Sequence, residues 1–312
     1  CARRSGAAMP EAIRTRGLSY RAGRGAGSFE LSGLDLSVPA GSIYGFLGPN
    51  GSGKTTTIRL LMGMMRPRGG EIQVLGHEYP RGIPAALARV GYVPERPHLY
   101  GSLTVAEAMR YHAAFFPTWD QDRALLLRSR LGLPLDRRIG RMSKGEVGKL
   151  MMLLALAQRP ELLVLDEPTD GLDPMVRRDV LTAVLDYVAE AGATVFISSH
   201  LVHELERICD WVGVLDRGRL VAEMPIGAFK RGVKRISVAD PPSSHGAPPF
   251  GLLSRGVDEL ALGETWIVRD WEEPMRGWFT DVGASVRDVV DMDLEDVFVE
   301  LLRSARHEEA SR

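Results

Sequence analysis

At 312 residues, the chain is long enough to form one large α/β domain and a smaller one, or two domains of ordinary size. Its 39 basic and 40 acidic residues give a formal net charge of −1, so no nucleic-acid partner is expected. The two cysteines exclude a disulfide framework and a cysteine-rich metal cluster. No apolar run reaches the length of about 18 residues that a transmembrane helix requires.

The first residues include Arg3 and Arg4 but lack the apolar core that a secretory signal needs. Residues 1–10 are therefore predicted to form a disordered extension. Met9 is interpreted as the natural first residue, and a lipid-modified Cys1 is the alternative.

Strands are predicted for residues 11–47. Leu34, Leu36 and Val38 alternate with polar residues, which is typical of a strand with one buried face. Ile43–Leu47 is a short apolar run followed by glycine and proline, which predicts a buried strand that leads into a turn.

Helices and short buried strands are predicted to alternate through the middle of the chain. Thr104 and Glu107 form a capping-box pattern, which marks the start of a helix. Two apolar runs, Leu162–Leu165 and Val195–Ile197, are followed by polar residues and predict strands of a buried, mostly parallel sheet. The other elements predicted here are a helix over Lys54–Met62, a strand over Glu71–Leu75 and helical structure over 103–160.

The last quarter of the chain, residues 233–306, is predicted to form a small α+β accessory domain. Four prolines within Asp240–Gly251 indicate a loop or linker. Thr265–Val268 and Ser285–Val290 predict strands. A final helix is predicted to begin near Asp293, because apolar residues recur at helical spacing after it.

A phosphate-binding loop is predicted at Gly48–Thr55, whose sequence GPNGSGKT matches the pattern G-x-x-x-x-G-K-[ST] in full. Its glycines let backbone N–H groups surround phosphate oxygens at the start of a helix. Lys54 is predicted to reach the outer phosphates of ATP, and Thr55 to ligate magnesium. The residues predicted to bind nucleotide here are Gly48, Pro49, Asn50, Gly51, Ser52, Gly53, Lys54, Thr55 and Thr56.

Asp166 and Glu167 follow the apolar run at Leu162–Leu165. Parallel strands bring the residues at their C-terminal ends to the edge of the sheet where ligands bind. Asp166 is predicted to hold magnesium, directly or through water, and Glu167 to orient or polarise the attacking water. Taken alone, the pair could also be an ordinary strand end before a turn at Pro168.

The tetrapeptide Ser143-Lys144-Gly145-Glu146 has the capping-box pattern and precedes an apolar-rich run, which predicts the start of a helix. A capped helix N-terminus also presents N–H groups that favour phosphate. These residues alone leave both interpretations open.

The order of these motifs resembles the nucleotide-binding subunit of ATP-binding cassette transporters over about residues 11–225. The chain is also similar to a branch of bacterial exporter ATPases related to antimicrobial-peptide resistance and self-immunity pumps. Besides the phosphate loop, the family resemblance depends on Tyr92–Glu95, Ser143–Glu146, Leu165–Pro168, Gly171–Asp173 and Ser199–His200. The similarity to the branch depends on the stretch from Trp119-Asp120 through Asp173-Pro174, which includes Met142–Gly145, and on Asp293–Phe298.

The resemblance implies an α/β P-loop NTPase cassette with a mostly parallel sheet, an antiparallel β region at its start and a small C-terminal α+β appendage. The implied domains are a cassette at 11–232 with a helical subdomain at about 96–160, an accessory domain at 233–306 and a tail at 307–312.

The resemblance also implies roles for single residues. Glu167 would be the general base, His200 would contact the γ-phosphate, and Tyr20 would stack on adenine. Lys54 joins the catalytic set. Residues that would complete the ATP site of a second subunit, or lie in the contact between subunits, are Ser143, Lys144, Gly145, Glu146 and Asp173.

Some positions depart from the broad family pattern. Glu95 stands where a magnesium-ligating glutamine is usual and is predicted to ligate the metal with Thr55 and Asp166. Lys144 could add positive charge toward a γ-phosphate across the dimer, or face solvent. Tyr20 precedes a glycine-rich stretch, so Phe29 is the alternative residue to approach the base.

The implied function is hydrolysis of Mg-ATP to power a membrane permease, most simply an exporter of peptide, drug or lipid-like cargo. A second copy or a paralogous cassette would form the head-to-tail dimer. The permease is predicted to dock near Glu95–Leu103, which would hold the chain peripherally on the cytoplasmic face of the cell membrane. The alternatives are a soluble cassette ATPase linked to DNA or ribosomes, and a nucleotide-gated binding module with little turnover.

Overall fold

The computed structural model describes residues 10–23, 29–240, 247–258 and 263–310. The predicted extension at 1–10 therefore lies outside the described residues except for Pro10, as do Cys1 and Met9. The same holds for 241–246 of the predicted linker and for the last two residues of the predicted tail. No helix in the described ranges combines the length and apolar character needed to cross a bilayer.

The described residues fall into two compact units. The first comprises residues up to His200 together with Leu215–Leu220, and the second comprises Leu201–Val214 and residues from Val221 onward. Two strands cross this division, and they are β9 (Trp211–Asp216) and β10 (Arg219–Pro225).

The first unit begins with strands, which confirms the prediction for residues 11–47. The strands of this unit are β1 (Glu11–Ala22), β2 (Phe29–Pro39), β3 (Ile43–Leu47), β4 (Gly69–Val74), β5 (His77–Glu78), β6 (Val90–Val93), β7 (Leu162–Asp166) and β8 (Thr194–Ser199). Its helices are α1 (Lys54–Leu61), α2 (Ile83–Leu87), α3 (Val105–Ala113), α4 (Gln121–Arg130), α5 (Lys144–Leu156) and α6 (Pro174–Ala191).

Two sheets organise the first unit. An antiparallel sheet has the order β2-β1-β4-β5, and its first two strands alternate buried and exposed residues over much of their length. Strands β3, β8, β7 and β6 are neighbours in that order and run parallel. Every residue of β3, β7 and β8 is buried, which explains the short apolar runs that the sequence has in each of them.

Helices α3, α4 and α5 confirm the predicted helical character of 103–160, although loops separate them. Both predicted capping boxes are present. Thr104 Oγ1 accepts from the backbone N–H of Glu107, and the Glu107 carboxylate accepts from the N–H of Thr104. The loop between α4 and α5 contains Gly132 at φ 67 and Pro134, and both features prevent the helix from continuing.

The second unit contains an antiparallel sheet. Its strands are β11 (Lys234–Ala239), β12 (Gly251–Asp258), β13 (Gly263–Arg269) and β14 (Ser285–Asp291), in the order β12-β13-β11-β14. Its helices are α7 (Val202–Leu205), α8 (Ile226–Gly232), α9 (Arg276–Asp281) and α10 (Leu294–Ala310). The predicted strands near 265–268 and 285–290 and the final helix are confirmed.

An aromatic core holds this sheet together. Trp266 is fully buried and lies 5.4 Å from the ring of Phe279, which in turn stacks on Phe250 at 5.5 Å. Helix α10 extends beyond the predicted domain end at 306, because no glycine or proline interrupts 294–310.

Candidate functional site

The predicted phosphate-binding loop connects the buried strand β3 to helix α1. The helix begins at Lys54, and the residue before it, Gly53, has φ 115, a conformation that glycine adopts without strain. Gly51 has φ 80. The loop is closed by a hydrogen bond of 3.1 Å from the Ser52 N–H to the Pro49 carbonyl. The predicted strand–loop–helix context is therefore confirmed.

The loop also passes very close to another segment at Gly48. A Cβ atom on Gly48 would lie 2.4 Å from the Leu215 carbonyl oxygen and 2.5 Å from Ser52 Oγ. Both contacts are far inside van der Waals distance, so no other residue fits here without moving the backbone.

Substitution Gly48→Ala is therefore expected to destabilise the chain by about 1–3 kcal/mol and to weaken nucleotide binding, because the loop must shift. Gly69→Ala is the matched control, since a Cβ there meets nothing within 4 Å. Thermal unfolding with and without ATP measures both effects. Equal unfolding temperatures for the two variants would contradict the close approach.

Lys54 lies at the base of the loop and is 5% exposed. Its Nζ donates hydrogen bonds to the carbonyls of Gly48 at 2.6 Å and Pro49 at 3.3 Å. It also forms an ion pair with Glu167, with 3.1 Å between Nζ and Oε1. The lysine is thus oriented by the loop that surrounds it and is already bound to an anionic group.

Glu167 is held between two basic side chains. Its second oxygen, Oε2, accepts a hydrogen bond of 2.9 Å from His200 Nδ1, because a carboxylate can only accept. The backbone of Glu167 has φ 48, in the left-handed region that a non-glycine residue rarely adopts. Such strain is concentrated at functional sites and persists where surrounding contacts impose it.

Ser198 supplies such a contact, and sequence reasoning had missed it. The backbone N–H of Glu167 donates to Ser198 Oγ at 3.0 Å, and the Ser198 hydroxyl donates to Asp166 Oδ1 at 2.8 Å. The only sequence signal was the position of Ser198 at the end of β8, which is the neighbour of β7.

Asp166 is 1% exposed and is held by hydroxyl groups. Thr55 Oγ1 donates to Asp166 Oδ1 at 3.1 Å, from the first turn of α1. Burial raises the pKa of the Asp166 carboxyl above its ordinary value, against the hydrogen bonds from Ser198 and Thr55, while the negative charges of Glu95 and Glu167 add to the increase. A bound cation would relieve this accumulation of negative charge.

The loop, Glu167 and His200 border a cavity of about 470 Å³. The predicted nucleotide-binding and catalytic residues that line it are Asn50, Gly51, Gly53, Lys54, Thr55, Thr56, Glu95, Glu167 and His200. Phe29 and Asp170 line it as well, and Tyr20 does not. Tyr20 lies in β1, paired with Leu31, whereas a Cβ on Gly53 would come within 2.6 Å of the Phe29 ring.

The sequence profile of the family described as ABC transporter matches residues 31–170. Nod factor export ATP-binding protein I from Rhizobium johnstonii is 35% identical over 224 residues, which cover 70% of this chain and 71% of that protein. The chain belongs to the ABC transporter ATP-binding family. Bacitracin transport ATP-binding protein BcrA from Bacillus licheniformis is 36% identical over 64% of this chain. The chain spans 65% of the length of that relative.

Solved structures agree with this assignment. The ATP-binding subunit of an ABC transporter superposes with a TM-score of 0.63 at 29% identity, over 70% of this chain and 92% of that one. A dimeric cassette bound to ADP and phosphate has a TM-score of 0.62 over 69% of this chain and 98% of that one. Its 19% identity shows the shared fold alone. The predicted α/β P-loop cassette fold is confirmed.

Gly48, Pro49, Ser52 and Asp166 do not line the 470 Å³ cavity, and neither do the residues that are predicted to act at the site of a second subunit. Ser143 caps α5, with its N–H donating to Glu146 at 2.7 Å. Asp173 caps α6 by accepting from the N–H groups of Met175 and Val176. A Cβ on Gly145 would lie 3.2 Å from Val176. Their predicted roles in a second subunit's site stay predictions.

A second, more apolar cavity of about 700 Å³ shares Glu95 with the 470 Å³ cavity. Its wall includes Tyr100 and Tyr111, which are 63% and 48% exposed and meet edge to face at 5.8 Å. Phe115, also 63% exposed, continues this aromatic row at 5.1 Å from Tyr111. Exposed apolar groups arranged in this way are typical of a protein-binding surface.

Proposed function

We propose that this cassette binds and hydrolyses Mg-ATP and that the reaction powers a membrane permease. The observation that carries the proposal is the arrangement of Lys54, Glu167 and His200 around one cavity, at the end of a phosphate-binding loop. Release of phosphate from ATP by the purified chain, compared with the Glu167→Gln variant, tests it.

Lys54 would exchange its contact with Glu167 for oxygens of the outer phosphates. Glu167 would then be free to accept a proton from the attacking water, held in place by the hydrogen bond from His200. His200 lies 30% exposed at the rim of the cavity, where it can contact the γ-phosphate. The backbone N–H groups of the loop and the start of α1 would stabilise charge on the phosphates.

Magnesium fits the oxygen groups that are present. Among the described residues there is no cluster of three or more His, Cys, Asp or Glu side chains able to enclose a metal. Magnesium, however, is commonly bound by one or two protein oxygens plus substrate phosphates. Thr55 and Asp166 would hold it, with Glu95 beside them. When bound, it neutralises charge on the phosphates.

The adenine base is proposed to stack near the start of β2. Phe29 lines the cavity and is therefore the better candidate, while Tyr20 remains the residue that the family resemblance implies.

The proposal of a head-to-tail dimer, with a second copy or a paralogous cassette, is supported by the dimeric cassettes among its structural relatives. Ser143, Gly145 and Asp173 would then lie at the partner's nucleotide.

A permease is proposed to dock on the aromatic cavity near Glu95–Leu103. Relatives named for bacitracin transport and Nod factor export support transport, and export, as the process served. They favour this function over a soluble ATPase linked to DNA or ribosomes.

The proposed location that corresponds to this function is the cytoplasmic face of the cell membrane. The proposed domain limits are 11–232 for the cassette and 233–306 for the accessory domain.

Tyr100→Ser is expected to reduce recovery of the permease with the tagged chain about tenfold, because an exposed aromatic anchor in such a surface contributes strongly to binding. Detergent-solubilised membranes and mass spectrometry of the co-purified integral-membrane protein give the measurement. Leu126→Ser is the matched control, since Leu126 is 57% exposed and lies outside this cavity. Equal recovery with both variants would exclude docking at Tyr100.

A further inference from the structure

The lining of the nucleotide cavity is rich in carboxylates, although the proposed ligand, ATP, is itself negatively charged. Three carboxylates line it, and they belong to Glu95, Glu167 and Asp170. Of the described residues that line it, Lys54 alone is a lysine or an arginine, and Lys54 forms an ion pair with Glu167. Asp170 therefore needs a source of positive charge from outside the lining of the cavity.

Lys144 provides that charge from the start of α5. Its Nζ lies 3.3 Å from Asp170 Oδ2. The side chain also lies across the adjacent turn, because a Cβ on Gly171 would come within 2.5 Å of Lys144 Nζ and within 3.5 Å of its Cε. Gly171 has φ 64, so the turn and the lysine both depend on glycine at this position.

We propose that Lys144 is a positioning residue for nucleotide binding in its own subunit. It neutralises Asp170 and fixes the turn at Asp170–Gly171, which follows Glu167 and precedes the cap of α6 at Asp173. This proposal adds a residue role to the proposed function, and it rests on that function in one respect, namely that the cavity binds a nucleotide. It differs from the role in which Lys144 reaches the γ-phosphate of a partner subunit.

Without Lys144, the carboxylate of Asp170 would face the cavity uncompensated and would repel the phosphates of any nucleotide. Both groups are partly exposed, at 61% for Lys144 and 44% for Asp170, so solvent and salt weaken the effect. A change of about two- to fivefold in affinity is expected, and it should shrink as the salt concentration rises.

The test is the affinity of the full chain for Mg-ADP, measured by calorimetric titration for wild type, Lys144→Ala, Asp170→Asn and the double variant. ADP has no γ-phosphate, so a lysine that acts only on a partner's γ-phosphate cannot change this affinity. We expect Lys144→Ala to weaken Mg-ADP binding about two- to fivefold at low salt. In the Asp170→Asn background the same substitution should have little effect, and Lys144→Arg should restore binding.

Two results would overturn the proposal. One is unchanged Mg-ADP affinity in Lys144→Ala. The other is an equal loss in both backgrounds, which would remove Asp170 from the explanation. Lys149→Ala is the matched control, because Lys149 lies on the same helix and pairs with Asp179 at 2.7 Å, outside the cavity. Since this assay measures binding, it remains informative even if the purified chain releases no phosphate from ATP and the hydrolysis proposal fails.

Discussion

Glu167→Gln should lower ATP turnover by about 10²–10⁴-fold while ATP binding persists. The amide has the size of the carboxylate but cannot take a proton from water. It also cannot form the ion pair of 3.1 Å with Lys54, so the lysine becomes more available to phosphate. Phosphate release at saturating Mg-ATP measures turnover, and calorimetric titration in parallel measures the affinity for nucleotide.

Glu161→Gln is the matched control for this substitution. Glu161 lies next to the start of β7, as Glu167 lies next to its end, and its carboxylate pairs with Arg89 on the surface. Neither residue of that pair lines the cavity. Equal turnover in wild type and Glu167→Gln would remove Glu167 as general base. Phosphate release at background level in both proteins would favour a binding module that uses nucleotide without hydrolysing it.

The sequence was sufficient for the parts of the site that depend on local chain geometry. The loop at Gly48–Thr55 requires glycine at fixed positions, so its pattern is visible without any tertiary information. Strands β3, β7 and β8 are recognisable in the sequence because each is buried on both faces and contains a short apolar run. The capping boxes at Thr104 and Ser143 involve residues only three positions apart.

Features that depend on which segments become neighbours were not predictable in the same way. Ser198 joins Asp166 and Glu167 only because β8 pairs with β7 in a particular register. The choice between Tyr20 and Phe29 depends on how the first two strands approach the loop. Lys144 and Asp170 are 26 residues apart, and nothing local indicates that they meet.

The antiparallel sheet of the second unit gives another example of what the sequence does not predict. Its strands near 265–268 and 285–290 follow from residue patterns, but its aromatic core does not. Trp266, Phe279 and Phe250 come from a strand, a helix and a loop, and they meet only after the sheet has formed. A list of apolar residues therefore predicts that a core exists, but not which rings stack within it.

Lys54→Met is expected to weaken ATP binding about 10–100-fold, because a buried, charge-assisted contact to phosphate is lost. The substitution should also destabilise the nucleotide-free chain by about 1–3 kcal/mol, because Glu167 loses its cation in a site where it is only 10% exposed. Calorimetric titration with Mg-ATP and chemical unfolding without nucleotide measure these two effects separately.

The double variant Lys54→Met/Glu167→Gln distinguishes the two causes. Its stability should return toward that of wild type, because position 167 then carries no charge for Lys54 to balance, whereas its ATP affinity should stay low because no amine reaches the phosphates. Lys149→Met is the control for loss of a paired lysine, since the partner of Lys149 is Asp179, outside the cavity. If Lys54→Met bound ATP as tightly as wild type, the loop at Gly48–Thr55 would not be the phosphate site. The cavity would then have to bind nucleotide through groups other than Lys54.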